Sequence, residues 1–173
     1  MRSFRLLTTG CLLVFGLLTG CDSFPGVEQH GTEIDLSNAT STTVNGLGIH
    51  LFAPDTVAVA DSFAVQVAVS NPSNRDRTVT TPSACLMRPS VFSATERVPL
   101  KGSMLLCAAA VTTHHIPAGE LVKRRFDLEA VLDTSEGELP ASPGPYTVRA
   151  TLHWTLDGRS IERSVQKKIV LHQ

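Results

Sequence analysis

Four cysteines and six histidines are the side chains through which this chain of 173 residues could carry out thiol or metal chemistry. The histidines do not assemble into a chelate. His114 and His115 are adjacent, and neighbouring side chains on a strand point to opposite faces, so they make a poor ligand pair. His153 alternates with apolar residues on the polar face of its segment, His50 stands alone in a short β-prone piece, His30 lies in a polar stretch near the start, and His172 sits at the end. No metal site is expected from them. Asp133, Glu136 and Glu138 cluster without the ligand spacing of an EF-hand loop and read as a solvated acidic turn. There is no Gly-x-Ser-x-Gly elbow, no His-Glu-x-x-His and no phosphate-cradling glycine loop, so neither catalysis nor a cofactor is expected. Arg124 stands alone on an otherwise apolar face. Its stem would cover the core at a bent or rim position, or its charge would serve recognition.

The cysteines say more, beginning with the N-terminus. Arg2 and Arg5 precede a mostly apolar run over residues 6–18 that ends in Leu18-Thr19-Gly20-Cys21. This is the order of a signal peptide, and the run is too short to span a bilayer. Leu-x-Gly-Cys resembles the bacterial lipobox, in which the cysteine thiol is lipidated and becomes the mature N-terminus. That resemblance implies a signal peptide over residues 1–20, a lipidated Cys21, and anchoring to a membrane of the bacterial cell envelope. Two or three acyl chains, at ~0.8 kcal/mol per buried CH₂, hold a protein stably on a bilayer. Asp22 resembles the inner-membrane retention signal of enterobacterial lipoproteins, but other bacteria sort differently, and both membranes stay open. Residues 21–46, rich in Ser, Thr, Gly and Asn without a sustained period, are expected to form a flexible tether.

Cys11 leaves with the leader and Cys21 takes the lipid, so Cys85 and Cys107 remain as one pair. In an exported protein such a pair is expected to form a disulfide, the alternative being two buried thiols. The bridge would contribute ~3 kcal/mol in the chain-entropy model. The leader contains Arg2 and Arg5 and no acid, so its removal takes the net charge from −1 to −3. No basic patch in the sequence suggests a nucleic-acid partner.

The element that must organise the rest is a hairpin over residues 143–171. Tyr146, Val148, Ala150, Leu152, Trp154 and Leu156 alternate with polar residues, the signature of a half-buried strand. Asp157-Gly158 suits a type I′ turn, and the return strand runs from Arg159. A lone hairpin is marginal in water, so the face carrying Tyr146 and Trp154, the only Tyr and Trp of the chain, needs a second sheet to cover it. Phe63, Val65, Val67 and Val69 mark another strand. Val122, Arg124, Phe126, Leu128, Ala130 and Leu132 mark a further one after the turn at Pro117-Ala118-Gly119-Glu120. Shorter pieces fall at residues 47–52, 56–60, 78–81 and 86–92, where Pro89 argues for an edge or a bulge. Residues 98–116 are ambiguous: Ala108-Ala109-Ala110 suits a helix, whereas Val111-Thr112-Thr113 favours extended chain. Residues 133–142 read as a loop. About seven or eight strands with regular turn signals give an all-β antiparallel sandwich over residues 47–173.

Asp61-Ser62-Phe63 through Asn71-Pro72-Ser73, then Pro117-Ala118-Gly119-Glu120, then Pro143-Gly144-Pro145-Tyr146-Thr147-Val148 resembles the intracellular proteinase inhibitor family, BsuPI, over residues 47–171. The resemblance implies an immunoglobulin-like sandwich, with Tyr146 as a tyrosine corner. The chain departs from the family in carrying a cysteine pair, in lacking a Trp in its central segment, and in being exported. The expected function is therefore a non-catalytic module that binds a protein partner in the envelope, with proteinase inhibition as the alternative.

Overall fold

The computed structural model describes residues 29–31, 36–103 and 107–173. Cys21 and the leader lie outside them. Among the described residues every regular element is a strand. β1 (Gln29–Gly31) is followed by β2 (Thr40–Val44) and β3 (Leu47–Phe52), which form a hairpin. Asn45 and Gly46 close it at φ of 49° and 83°, the left-handed pair a type I′ turn requires. This corrects the tether expected to reach residue 46. The Thr-rich β2 is polar and mostly exposed, so composition hid it, yet its backbone pairs with β3 and its Val44 is buried.

β5 (Ser62–Ser70) falls where alternation placed it, and β4 (Thr56–Ala58) and β6 (Arg77–Thr81) fall at the shorter pieces expected at residues 56–60 and 78–81. β7 (Arg88–Ser93) turns tightly into β8 (Glu96–Val98), which pairs with it only from Val91 to Ser93, so Pro89 lies where β7 has no ladder partner on that side. Residues 108–110 are not helical, and β9 (Thr112–Ile116) begins just after them. β10 (Leu121–Glu129) is the charged strand. β11 (Val131–Thr134) and β12 (Gly137–Pro140) form a small ribbon where a loop is expected from sequence. Its exposed β12 is held by local pairing and gives no apolar period to read. β13 (Gly144–Leu156) and β14 (Arg159–His172) are the organising hairpin, closed by Asp157 and Gly158 at φ of 52° and 74°. The short strands raise the number of segments above the seven or eight expected.

Two sheets form a sandwich. The first runs β1-β10-β5-β3-β2, and the second runs β4-β14-β13-β6-β9, with β7 also on β13 and β8 on β7. The chain places β3 in the first sheet, β4 in the second and β5 back in the first, and β4 pairs parallel to the terminal β14. Splitting the leading strand between layers in this way belongs to the immunoglobulin-like arrangement. Phe63, Val65, Val67 and Val69 of β5 and Phe126 and Leu128 of β10 face Val148, Leu152, Trp154 and Ile169 of the second sheet in one buried core. Each large side chain removed from water contributes about 1.5–3 kcal/mol.

Polar residues tie the layers together. Asn71, buried at the end of β5, donates to the carbonyls of Arg75 (2.8 Å) and Ile116 (2.9 Å), while its own side-chain oxygen accepts from the Ser73 hydroxyl (2.7 Å). The Asn-Pro-Ser motif thus fastens the first sheet to β9. The Tyr146 hydroxyl donates to the Ser142 carbonyl at 2.9 Å, a tyrosine corner as expected, and burial holds its pKa above the ordinary value.

Candidate functional site

The second sheet contains a gap. β14 occupies one edge of β13, so β6 and β7 share the other, β6 opposite Thr155 and β7 opposite residues 147–151. Residues 82–87 bulge between them and are pinned at successive positions. The Thr81 hydroxyl donates to the Ser83 carbonyl. Ala84 N–H donates to Ala108 O (3.0 Å), Cys85 is disulfide-bonded to Cys107 with Cα atoms 5.5 Å apart, and Trp154 Nε1 donates to Leu86 O at 2.7 Å. The expected disulfide is therefore present, and it anchors this bulge.

The pinned bulge walls a cleft of about 230 Å³ on the outer face of the sheet. Thr151 and His153 of β13 form its floor, and Arg88 and Ser90 of β7 and Arg97 of β8 rim it. A second hollow of about 250 Å³ shares Pro82 and His153 with the first and is lined further by Thr80, Val111, Thr155 and Ser160. The two make one groove. Val111, which lines the second hollow, stands 78% exposed.

Register decides which charges meet there. The buried residues of β13 are Tyr146, Val148, Ala150, Leu152, Trp154 and Leu156, so Thr147, Arg149, Thr151 and His153 face outward. Opposite them across the ladders stand Phe92, Ser90 and Arg88 on one side and Lys168 and Glu162 on the other. The Arg149 guanidinium lies over the Phe92 ring, 4.3 Å from its centroid. Glu162 lies 3.9 Å from His153. One face thus gathers Arg88, Arg97, Arg149 and Lys168 in a chain of net charge −1. Such a face with a forked-donor rim can hold a carboxylate or another oxyanion. Sequence reasoning missed it because these residues come from four strands and each is an ordinary polar position in its own alternation.

The remaining sequence candidates have structural partners. His114 is buried and hydrogen-bonded to the Thr81 hydroxyl (3.0 Å), whereas its neighbour His115 is exposed beside Asp76 (3.4 Å), the opposite-face arrangement expected. Glu138 of the acidic cluster and Glu129 both reach Lys101 at 3.2 Å, and these hydrogen bonds, that to Glu129 foremost, raise the Lys101 pKa. Among the described residues no group of three or more His, Cys, Asp or Glu is placed to hold a metal ion. Arg124 is half-buried, its guanidinium 5.4 Å from the Phe126 ring centroid and its Nη1 donating to Cys85 Sγ at 3.3 Å. Its Nε is buried without a hydrogen-bond partner.

His50, which looks isolated in sequence, is buried on the outer face of the first sheet between Ser41 Oγ (2.8 Å from Nδ1) and Ser70 Oγ (2.8 Å from Nε2). Gly48 makes room for this array, since a Cβ there would lie 2.3 Å from Ser70 Oγ and 2.8 Å from His50 Nε2. Gly48→Ala is expected to push the Ser70 hydroxyl off the ring and destabilise the fold by ~1–3 kcal/mol, read by urea unfolding. Burial also lowers the His50 pKa. The unfolded chain then takes up this proton first on acidification, so the stability His50 contributes is complete above its unfolded pKa of ~6.5 and is lost as pH falls towards the folded value. Thermal melts between pH 7 and 5 should fall less steeply for His50→Gln than for the parent; equal slopes would refute this assignment.

Comparison with known proteins adds likeness of shape. No family model matches the chain, and no curated protein does. Among solved structures, the chain is similar to the alkylpurine DNA glycosylase AlkC of Pseudomonas fluorescens at 14% identity and a TM-score of 0.39, covering 74% of this chain and 31% of that one. It is similar to a beta-glucosidase of Listeria innocua at 14% identity and a TM-score of 0.41, covering 76% of this chain and 16% of that one. The GAE domain of GGA2p from Saccharomyces cerevisiae gives 10% identity and a TM-score of 0.34, with 76% and 96% covered. The chain thus spans under a third of the length of the first two, and likeness at these scores carries no argument about function.

Proposed function

We propose that this chain is a non-catalytic binding module of the bacterial envelope, held on a membrane by lipid on Cys21 and presenting its sandwich to a protein partner. The observation that carries this reading is the cationic groove: a bulge fixed at four consecutive residues, with guanidiniums and hydroxyls projecting beside it. A backbone already held at successive positions lowers the ordering cost of holding a ligand. The lipobox-like Leu18-Thr19-Gly20-Cys21 supports the anchor.

Crosslinking from intact cells of the native host, with the lipoprotein as bait and a Cys21→Ser form as the unanchored control, tests this reading. One dominant envelope protein is the expected capture. Recovery of nothing above the control would overturn the interaction module.

The BsuPI resemblance supplies a second reading, a proteinase inhibitor. The motif residues do structural work, Asn71 joining the layers and Tyr146 forming its corner, which supports the fold that the resemblance implies and assigns no inhibitory residue. Stoichiometric loss of protease activity on adding the full chain would support it, and unchanged serine, cysteine and metalloprotease activities would count against it.

A further inference from the structure

We infer that the groove on the second sheet binds an extended acidic peptide segment of the partner, seating a carboxylate between Arg88 and Arg97 and an apolar side chain near Val111. This deepens the binding-module reading and rests on it. Three observations select that occupant. The first is charge: Arg88, Arg97, Arg149 and Lys168 share the outer face with Glu162 as its facing acid, although acids outnumber Lys and Arg in the chain by 16 to 15. That segregation is complementary to an anion.

The second is shape. Two hollows of about 230 and 250 Å³ join at Pro82 and His153; Arg88 and Arg97 line the first, and the exposed Val111 lines the second. An extended peptide can reach both hollows, because its side chains recur along one face every second residue. The third is the lining between them. Thr151, Thr155 and Ser160 offer hydroxyls that both donate and accept, which suits a peptide backbone carrying N–H and C=O groups alike. A glycan would be expected to find an exposed aromatic platform, but Trp154 is 1% exposed and Arg149 covers Phe92.

The test uses the full chain in detergent micelles and a fluorescein-labelled decapeptide of alternating Glu and Val, followed by anisotropy. A Lys-Val decapeptide and vesicles containing phosphatidylglycerol serve as the other arms. The Glu-Val peptide should bind with an affinity that falls as salt rises, and the Lys-Val peptide should not bind. Arg88→Glu with Arg97→Glu should weaken binding at least ~10-fold, as loss of charge-assisted hydrogen bonds would. Arg125→Glu, an equal charge change per site on the exposed part of the first sheet, should leave binding unchanged. Val111→Glu perturbs the second hollow without touching the arginines and should also weaken binding.

Equal binding of the two peptides, equal loss in the Arg125 variant, or vesicle binding through Arg88 and Arg97 with no peptide binding would each overturn the proposal. Far-UV circular dichroism of every variant excludes unfolding as the cause of a loss. In the crosslinking experiment, a partner captured equally by the Arg88/Arg97 variant would refute the groove and leave the binding module standing. No partner at all would remove the module itself.

Discussion

Trp154→Ala is expected to destabilise the protein by about 3–5 kcal/mol, a large share of the roughly 5–15 kcal/mol by which domains of this kind are stable. Trp154 is 1% exposed, central in β13, and packed in the core shared by both sheets. Truncation leaves a cavity that strands on either side cannot collapse into without breaking their ladders. It also orphans the Leu86 carbonyl, which accepts the indole N–H at 2.7 Å at a point where the edge of β13 away from β14 has no ladder partner. Trp154→Phe separates the two contributions, since Phe keeps much of the apolar bulk and removes the donor. It should cost ~1–3 kcal/mol from the unpaired carbonyl. Because this Trp is the only one in the chain, urea unfolding must be followed by far-UV circular dichroism. A Phe variant as stable as the parent would show that the indole hydrogen bond does not hold the bulge. A Phe variant as damaged as Ala would show that the donor matters more than the volume.

The elements legible in sequence are those whose burial alternates. β5, β10 and β13 each present an apolar face of period two, and Asp157-Gly158 announces its turn, so the sandwich and the core positions of Tyr146 and Trp154 could be read directly. β2 could not, because Thr40–Val44 is held by backbone pairing to β3 and buries little. Asn45-Gly46 was the available signal, and as a type I′ dipeptide between β-prone runs it marks the hairpin. The β11–β12 ribbon escaped for the same reason, its β12 being wholly exposed. The groove was illegible for a different reason. Arg88, Arg97 and Arg149 are separated along the chain and converge only through the register of β13 with β7 and of β7 with β8. Charge counted along a sequence is blind to register.

Replacing Cys85 and Cys107 together by Ala is expected to cost about 3 kcal/mol, because the bridge closes a 22-residue separation in the unfolded chain. The denaturation slope should rise, since an uncrosslinked unfolded state exposes more surface, while the midpoint falls. The native state loses something as well. The bridge fixes the wall of the groove, and its Cys85 sulfur accepts from Arg124 Nη1 at 3.3 Å, a guanidinium whose Nε has no other partner. Without the sulfur, a half-buried cation is left less satisfied, which adds a desolvation cost that the entropy model omits. Arg124→Met in the bridged protein tests that addition, because Met keeps the apolar stem and removes the charge. If the Arg124 contact matters, Met should be tolerated better in the Cys-free protein than in the parent, and the double-mutant cycle will give a coupling different from zero. Additive effects would confine the bridge to the unfolded chain. Modification of both cysteines by an alkylating agent under denaturing, non-reducing conditions would show that no bridge forms.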